Sequence, residues 1–175
     1  MKKLLLFYVM STLLLGCSSD DDAPSLESFI PGTWKMTNLI LENAYLLDQD
    51  TEKTIDLVGQ TNCYQNETIT FNQDGTAVVS SSSFLNISAS LVAETEDLYT
   101  YTSDCVNDSD IYSVTWSMTS GGLLSLIEDD GFVSQAQYNG GNFITFSIPE
   151  GFEILLDDGT TVHAEEDILL MYEKQ

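Results

Sequence analysis

The chain is 175 residues long and carries five basic residues against 28 acidic ones, a formal net charge of −23 at pH 7. All five basic residues are lysines. The basic footprint that a phosphate backbone requires is therefore missing, which excludes nucleic acid as a partner, and anionic head groups repel the chain as well.

Lys2 and Lys3 give a short positive start, and residues 4–15 follow as an apolar run interrupted only by Ser11 and Thr12. A bilayer-spanning helix needs about 20 apolar residues, so this run is too short to span and fits the apolar core of a secretory signal. It ends Leu14-Leu15-Gly16-Cys17, which resembles the lipobox of bacterial lipoproteins. The resemblance implies a signal peptide over residues 1–16, cleavage before Cys17, a diacylglyceryl thioether on the Cys17 sulfur and an acylated amino group. Residues 17–26 then read as a lipidated tether, because Ser18-Ser19-Asp20-Asp21-Asp22 has nothing to bury and stays solvated. A serine and an acidic run behind a lipidated cysteine also resemble the export signal of some Gram-negative surface lipoproteins. The expected address is the outer membrane, lipid-anchored and exposed at the cell surface, with a periplasm-facing anchor as the alternative. Several acyl chains give lasting attachment where one does not, since each buried CH₂ contributes about 0.8 kcal/mol.

Residues 27–175 have the length of one domain with a substantial core. Without Lys2 and Lys3 the part from Cys17 onward keeps three lysines against 28 acids, a net charge of −25. Acidity of that degree serves solubility and self-avoidance. Apart from Cys17 the cysteines are Cys63 and Cys105. Two cysteines in an exported chain most simply pair. Two free thiols and a metal pair are the alternatives, the latter poorly supplied, because the single histidine, His163, lies far along the chain.

The domain reads as all-β, in short alternating segments separated by turn residues. Residues 33–41 open it. Residues 67–72 place Ile69 and Phe71 on one face, and Asp74-Gly75 turns the chain into residues 76–80, a hairpin by its turn chemistry. Residues 84–92, serine-rich and apolar, read as either a strand or a buried connector. Residues 110–118 alternate most clearly, with Tyr112, Val114, Trp116 and Met118 on one face and Ser113, Thr115 and Ser117 on the other. Strands follow at 123–128, 132–138, 142–148, 151–156 and 167–173, divided by Gly121-Gly122, Asp130-Gly131 and Asn139-Gly140-Gly141. Short connections favour neighbours pairing in order, so the expected architecture is an antiparallel up-and-down meander of eight or nine strands, closed into a barrel that removes exposed edges. A β-sandwich is the alternative.

Gly32-Thr33-Trp34 matches the G-x-W that opens the first strand of lipocalins. Cys63, then Glu67-Thr68-Ile69-Thr70-Phe71-Asn72-Gln73-Asp74-Gly75-Thr76, then Cys105, then Val114-Thr115-Trp116-Ser117 follow in order. The ordered set resembles the lipocalin-like domains of secreted bacterial lipoproteins, where a strand of the form T-F-x-x-D-G-T lies between two cysteines. The resemblance covers most of residues 27–175 and implies a barrel with one closed end and a cavity for an apolar ligand. One residue departs from the family pattern. Lipocalins pack an arginine from late in the barrel on the first-strand tryptophan. Here Lys174 stands in that part of the chain, and lysine lacks arginine's flat stacking surface, which points to Trp34 as a core plug.

Two functional expectations follow. In the first, the barrel binds a small apolar or amphipathic ligand through Tyr112, Val114, Trp116 and Met118, four large groups on one side of one strand, with the Tyr112 hydroxyl as polar anchor. In the second, those side chains fill the barrel, and its outer surface binds a protein or a glycan; small eight-stranded barrels do either. An enzyme is not expected, because no G-x-S-x-G elbow and no phosphate-cradling glycine loop is present, and His163 reads as part of a polar loop. No cofactor is expected. No metal is expected either: Asp48, Asp50, Glu52 and Asp56 begin like a calcium loop, but Lys53 and Gly59 occupy its glycine and closing-glutamate positions. Asp104, Asp108 and Asp110, like that first cluster, read as solvated faces.

Overall fold

A computed structural model describes residues 25–48 and 52–175. The expected signal peptide and Cys17 fall outside these residues, as does all but the end of the expected tether. A 3-10 turn, Leu26–Phe29, leads into β1 (Gly32–Tyr45). There follow β2 (Thr54–Asp56), a single helical turn α1 (Leu57–Gln60), β3 (Thr68–Phe71), β4 (Thr76–Leu91), β5 (Tyr99–Met118), β6 (Leu123–Ile127), β7 (Val133–Tyr138), β8 (Phe143–Leu156) and β9 (Val162–Lys174).

Successive strands from β3 to β9 pair with their neighbours, and β1 pairs with both β3 and β9. Eight antiparallel strands thus close a barrel, and β2 adds to β1 as an extra strand. The all-β meander read from alternation is present and closed; it is not a sandwich. Closure satisfies the backbone groups that the first and last strands of an open sheet would leave unpaired. The tight turns hold where glycine is needed. Gly122 has φ +81, and a Cβ there would sit 2.1 Å from the Tyr138 carbonyl oxygen, so no other residue fits in this turn between β5 and β6.

Five strands are longer than their alternation indicated, β1 running on to Tyr45 and β9 starting at Val162. Residues 84–92, read as strand or connector, continue β4 as far as Leu91. β5 starts at Tyr99, well before Asp110. Residues 142–148 and 151–156 are one strand, β8, bulged between Ile148 and Phe152 with Glu150 at φ 50. A bulge inserts residues without ending the ladder, so Pro149 and Gly151 mark an irregularity rather than a turn.

The long strands close a second, smaller circuit at the far end of the barrel. There β4 leaves β3 and runs parallel to β8, Ile87–Ala89 against Ile154–Leu156, while β5 stays on its other edge. β8 remains paired with β9 and β9 with β1, and a bridge from Leu47 to Tyr101 brings the chain after β1 onto β5. Where β3 stops at Thr68, the side chain of buried Glu67 replaces it. One carboxylate oxygen accepts from the Ser82 N–H at 2.8 Å, the Ser83 N–H at 3.3 Å and the Ser82 hydroxyl at 3.2 Å. Unpaired, a buried carboxylate would be costly; three donors offset that cost.

Cys63 and Cys105 are joined by a disulfide, with Cα atoms 5.6 Å apart. It pins the segment after α1 to β5. Tyr64 completes the attachment: its N–H donates to the Ser83 hydroxyl and its own hydroxyl accepts from the Leu85 N–H. Burial raises the Tyr64 pKa above the ordinary tyrosine value, outweighing the lowering effect of the Leu85 N–H.

Candidate functional site

The interior of the eight-stranded part is occupied by its own aromatic side chains. Trp34 is fully buried, with its ring edge-on to Phe71 at 6.5 Å and to Tyr138 at 6.1 Å. Phe71 in turn meets Trp116 edge-on at 5.6 Å. Both indole N–H groups are satisfied by backbone: Trp34 donates to the Ile30 carbonyl at 2.8 Å and Trp116 to the Asn72 carbonyl at 3.0 Å. Edge-to-face pairs of this kind contribute about 0.5–1.5 kcal/mol each beyond the area they bury.

The four residues expected to hold a ligand are divided by this packing. Val114 and Trp116 are core, at 4% and 7% exposure, and Met118 is half-buried against the core. Tyr112 is 38% exposed and lies where β5 runs past the end of β6, whose first partner on β5 is Thr115. Burial, and then the charges of Glu128 and Asp110, raise the Tyr112 pKa. The side chains share a face but do not surround one space.

A different set of residues surrounds a groove of about 860 Å³. It lies at the end of β1 opposite Trp34, beside the Leu47–Tyr101 bridge. Its aromatic wall is Tyr45, Tyr99 and Tyr101, with Leu46 and Leu98 as exposed apolar edges. Asp48, Asp97, Lys53, Thr100 and Thr102 supply its polar groups.

Each tyrosine is held from behind. Tyr45 meets Tyr101 edge-on at 4.9 Å, and its hydroxyl donates to the carboxylate of Glu166. Glu166 is 1% exposed, and it also accepts from the Asn43 N–H at 2.9 Å and the Asn43 side-chain amide at 3.1 Å. Burial first, and then the Glu166 carboxylate, push the Tyr45 pKa far above its ordinary value. Burial also raises that of Tyr101, aided by Tyr99 and Glu166. His163 packs on Tyr99 with ring centroids 4.2 Å apart, and its Nε2 lies 3.4 Å from the Tyr101 hydroxyl. This corrects the reading of His163 as a solvated loop residue: it is on β9, half-buried, and braces two tyrosines. Asp48 latches the groove's other side, its carboxylate accepting from the Ser103 N–H at 2.8 Å and from the Ser103 hydroxyl.

Among the described residues, no group of three or more His, Cys, Asp or Glu side chains is placed to hold a metal ion. Of the calcium-like acids, Asp50 lies outside the described residues, and Asp56 caps α1 through the Val58 N–H while binding the Asn38 amide at 2.7 Å. No family model matches the chain, and neither the curated proteins nor the solved structures contain a match.

Proposed function

We propose that the chain is a lipid-anchored lipoprotein of the outer membrane, exposed at the cell surface, that binds a small amphipathic ligand. Cys17 carries the lipid, and the acidic tether holds the barrel off the membrane. The ligand seat is the tyrosine groove rather than the barrel interior. The observation that carries this reading is the division of aromatic side chains. Trp34, Phe71, Trp116 and Tyr138 satisfy one another inside the barrel, whereas Tyr99 and Tyr101 are half-buried along a groove with polar groups, with buried Tyr45 at its base. The groove is at the end of β1 away from Trp34. Binding sites of this size combine an apolar wall with a few placed polar groups. The barrel acts as a rigid support, not as an enzyme.

The test is a titration of the purified protein with 2-naphthol, an aromatic alcohol, followed by its fluorescence. Saturable binding in the wild type, weakened at least about ten-fold in Tyr99→Ala, is the expected result. Binding that is unchanged by Tyr99→Ala and lost in Met118→Ala would return the ligand to the barrel interior.

A further inference from the structure

Along β5 the groove wall carries Tyr99 and Tyr101 on one face of the strand, half-buried, with Thr100 and Thr102 exposed on the other. Asp97 adds a carboxylate and Lys53 an ammonium group, while the Asp48 carboxylate is engaged by Ser103. We propose that the ligand of this groove is an uncharged oligosaccharide. The proposal rests on the groove being the binding site and names the chemistry it takes.

The polar content of the wall decides between ligand classes. An acyl chain laid in the groove would strip water from Asp97 and Lys53 and give nothing back, and unpaired burial of such groups is costly. A sugar has both kinds of surface. Its C–H faces pack on tyrosine rings, and its hydroxyls donate to carboxylates and accept from an ammonium group. Charge narrows the choice. Two carboxylates in the groove, on a chain of net charge −23, disfavour uronic or sulfated sugars. A quaternary ammonium ligand needs several ring faces turned on one point. Here Tyr45 presents its edge to Tyr101, His163 covers one side of Tyr99, and Lys53 repels a cation.

The buried groups behind the wall fit the same use. Stacking on a sugar face requires a ring already fixed in place, because ordering it on binding costs affinity. Tyr45 is fixed by Glu166, while Tyr99 and Tyr101 are fixed by His163. His163 is not among the groove-lining residues. It is a positioning residue.

The experiment uses the mature, lipidated chain in detergent micelles, titrated calorimetrically with maltohexaose, cellohexaose and xylohexaose, with hexagalacturonate as the charged control. At least one neutral hexaose binds. Its affinity falls at least about ten-fold in Tyr99→Ala and is retained in Tyr99→Phe, and hexagalacturonate does not bind. His163→Ala weakens sugar binding while leaving the midpoint of urea unfolding within error. If no neutral hexaose binds but 2-naphthol still binds in a Tyr99-dependent way, the groove stands and the sugar assignment is overturned. Equal binding of hexagalacturonate overturns it too. If neither sugar nor naphthol responds to Tyr99→Ala, the groove reading falls with it.

Discussion

Lys174 lies over the indole of Trp34, its Nζ 5.6 Å from the ring centroid, and the two residues are register partners across β9 and β1. The same ammonium group donates to the Phe29 carbonyl at 2.5 Å. One lysine therefore ties the last strand, the first strand and the entering 3-10 turn together at the Trp34 end of the barrel. Gly32 lies against its stem, where a Cβ would come within 3.2 Å of Lys174 Cε.

Lys174→Ala removes the cation and the stem together. Cation–π pairs contribute about 0.5–2 kcal/mol, and the stem covers apolar surface. A loss of about 1–2 kcal/mol in urea unfolding is expected, with Lys174→Met recovering the part due to the stem. An unchanged midpoint in Lys174→Ala would show that the contact contributes nothing.

The Cys63–Cys105 bridge spans a sequence separation of 42. On the chain-entropy model, opening a loop of that size destabilises by about 4 kcal/mol. Non-reduced peptide mapping should recover the two cysteines in one fragment, and reduction should lower the unfolding midpoint. Alkylation of both thiols without prior reduction would contradict the pairing.

Tyrosine ionisation sets an alkaline limit. Burial raises the pKa of Tyr45, Tyr64, Tyr101, Tyr112 and Tyr172 in the folded chain. The neutral form is the one the fold holds, so this contribution is complete below the unfolded pKa of about 10. It is lost progressively as pH rises above that value, because the unfolded chain releases the protons first. Stability should fall as pH climbs from about 10 to 12, and tyrosinate absorbance should jump at unfolding. A flat stability profile over that range would be the contrary result.

Lipid attachment is tested by metabolic labelling with a fatty-acid analogue, which should mark the wild type and not Cys17→Ser. Replacing Asp20, Asp21 and Asp22 with alanine should remove the protein from protease attack on whole cells. Equal labelling of the two forms would contradict the anchor, and unchanged protease access would reduce the acidic run to a tether.

The barrel was legible in the sequence where one face is buried and the other is wet. Val114 and Trp116 against Thr115 and Ser117 show that period without ambiguity. It was less legible along residues 84–92, where Leu85, Ile87 and Ala89 are buried but the apolar Phe84 and Leu91 are exposed, so hydrophobicity does not mark the inward face. The groove was harder still. Tyr99-Thr100-Tyr101-Thr102 has the period of a strand, but its partners come from distant parts of the chain: Leu47 by a bridge, His163 by stacking, Glu166 through Tyr45. Glu166 looks like one more surface acid among 28. Only the fold brings it under Asn43 and Tyr45. Trp116 was placed correctly on its face, but which aromatic faces a groove and which faces Phe71 depends on how the strands curl, and periodicity carries no such information.

The division between a filled interior and a binding groove is tested most directly by measuring ligand affinity and unfolding free energy together in Trp116→Ala and Tyr99→Ala. Trp116 is 7% exposed and packs on Phe71, so its truncation should cost about 3–5 kcal/mol while the folded fraction keeps its affinity. Tyr99→Ala should lose affinity with little loss of stability. Should Trp116→Ala prove nearly neutral for stability and abolish binding, with Tyr99→Ala silent, the ligand is inside the barrel and the account is wrong.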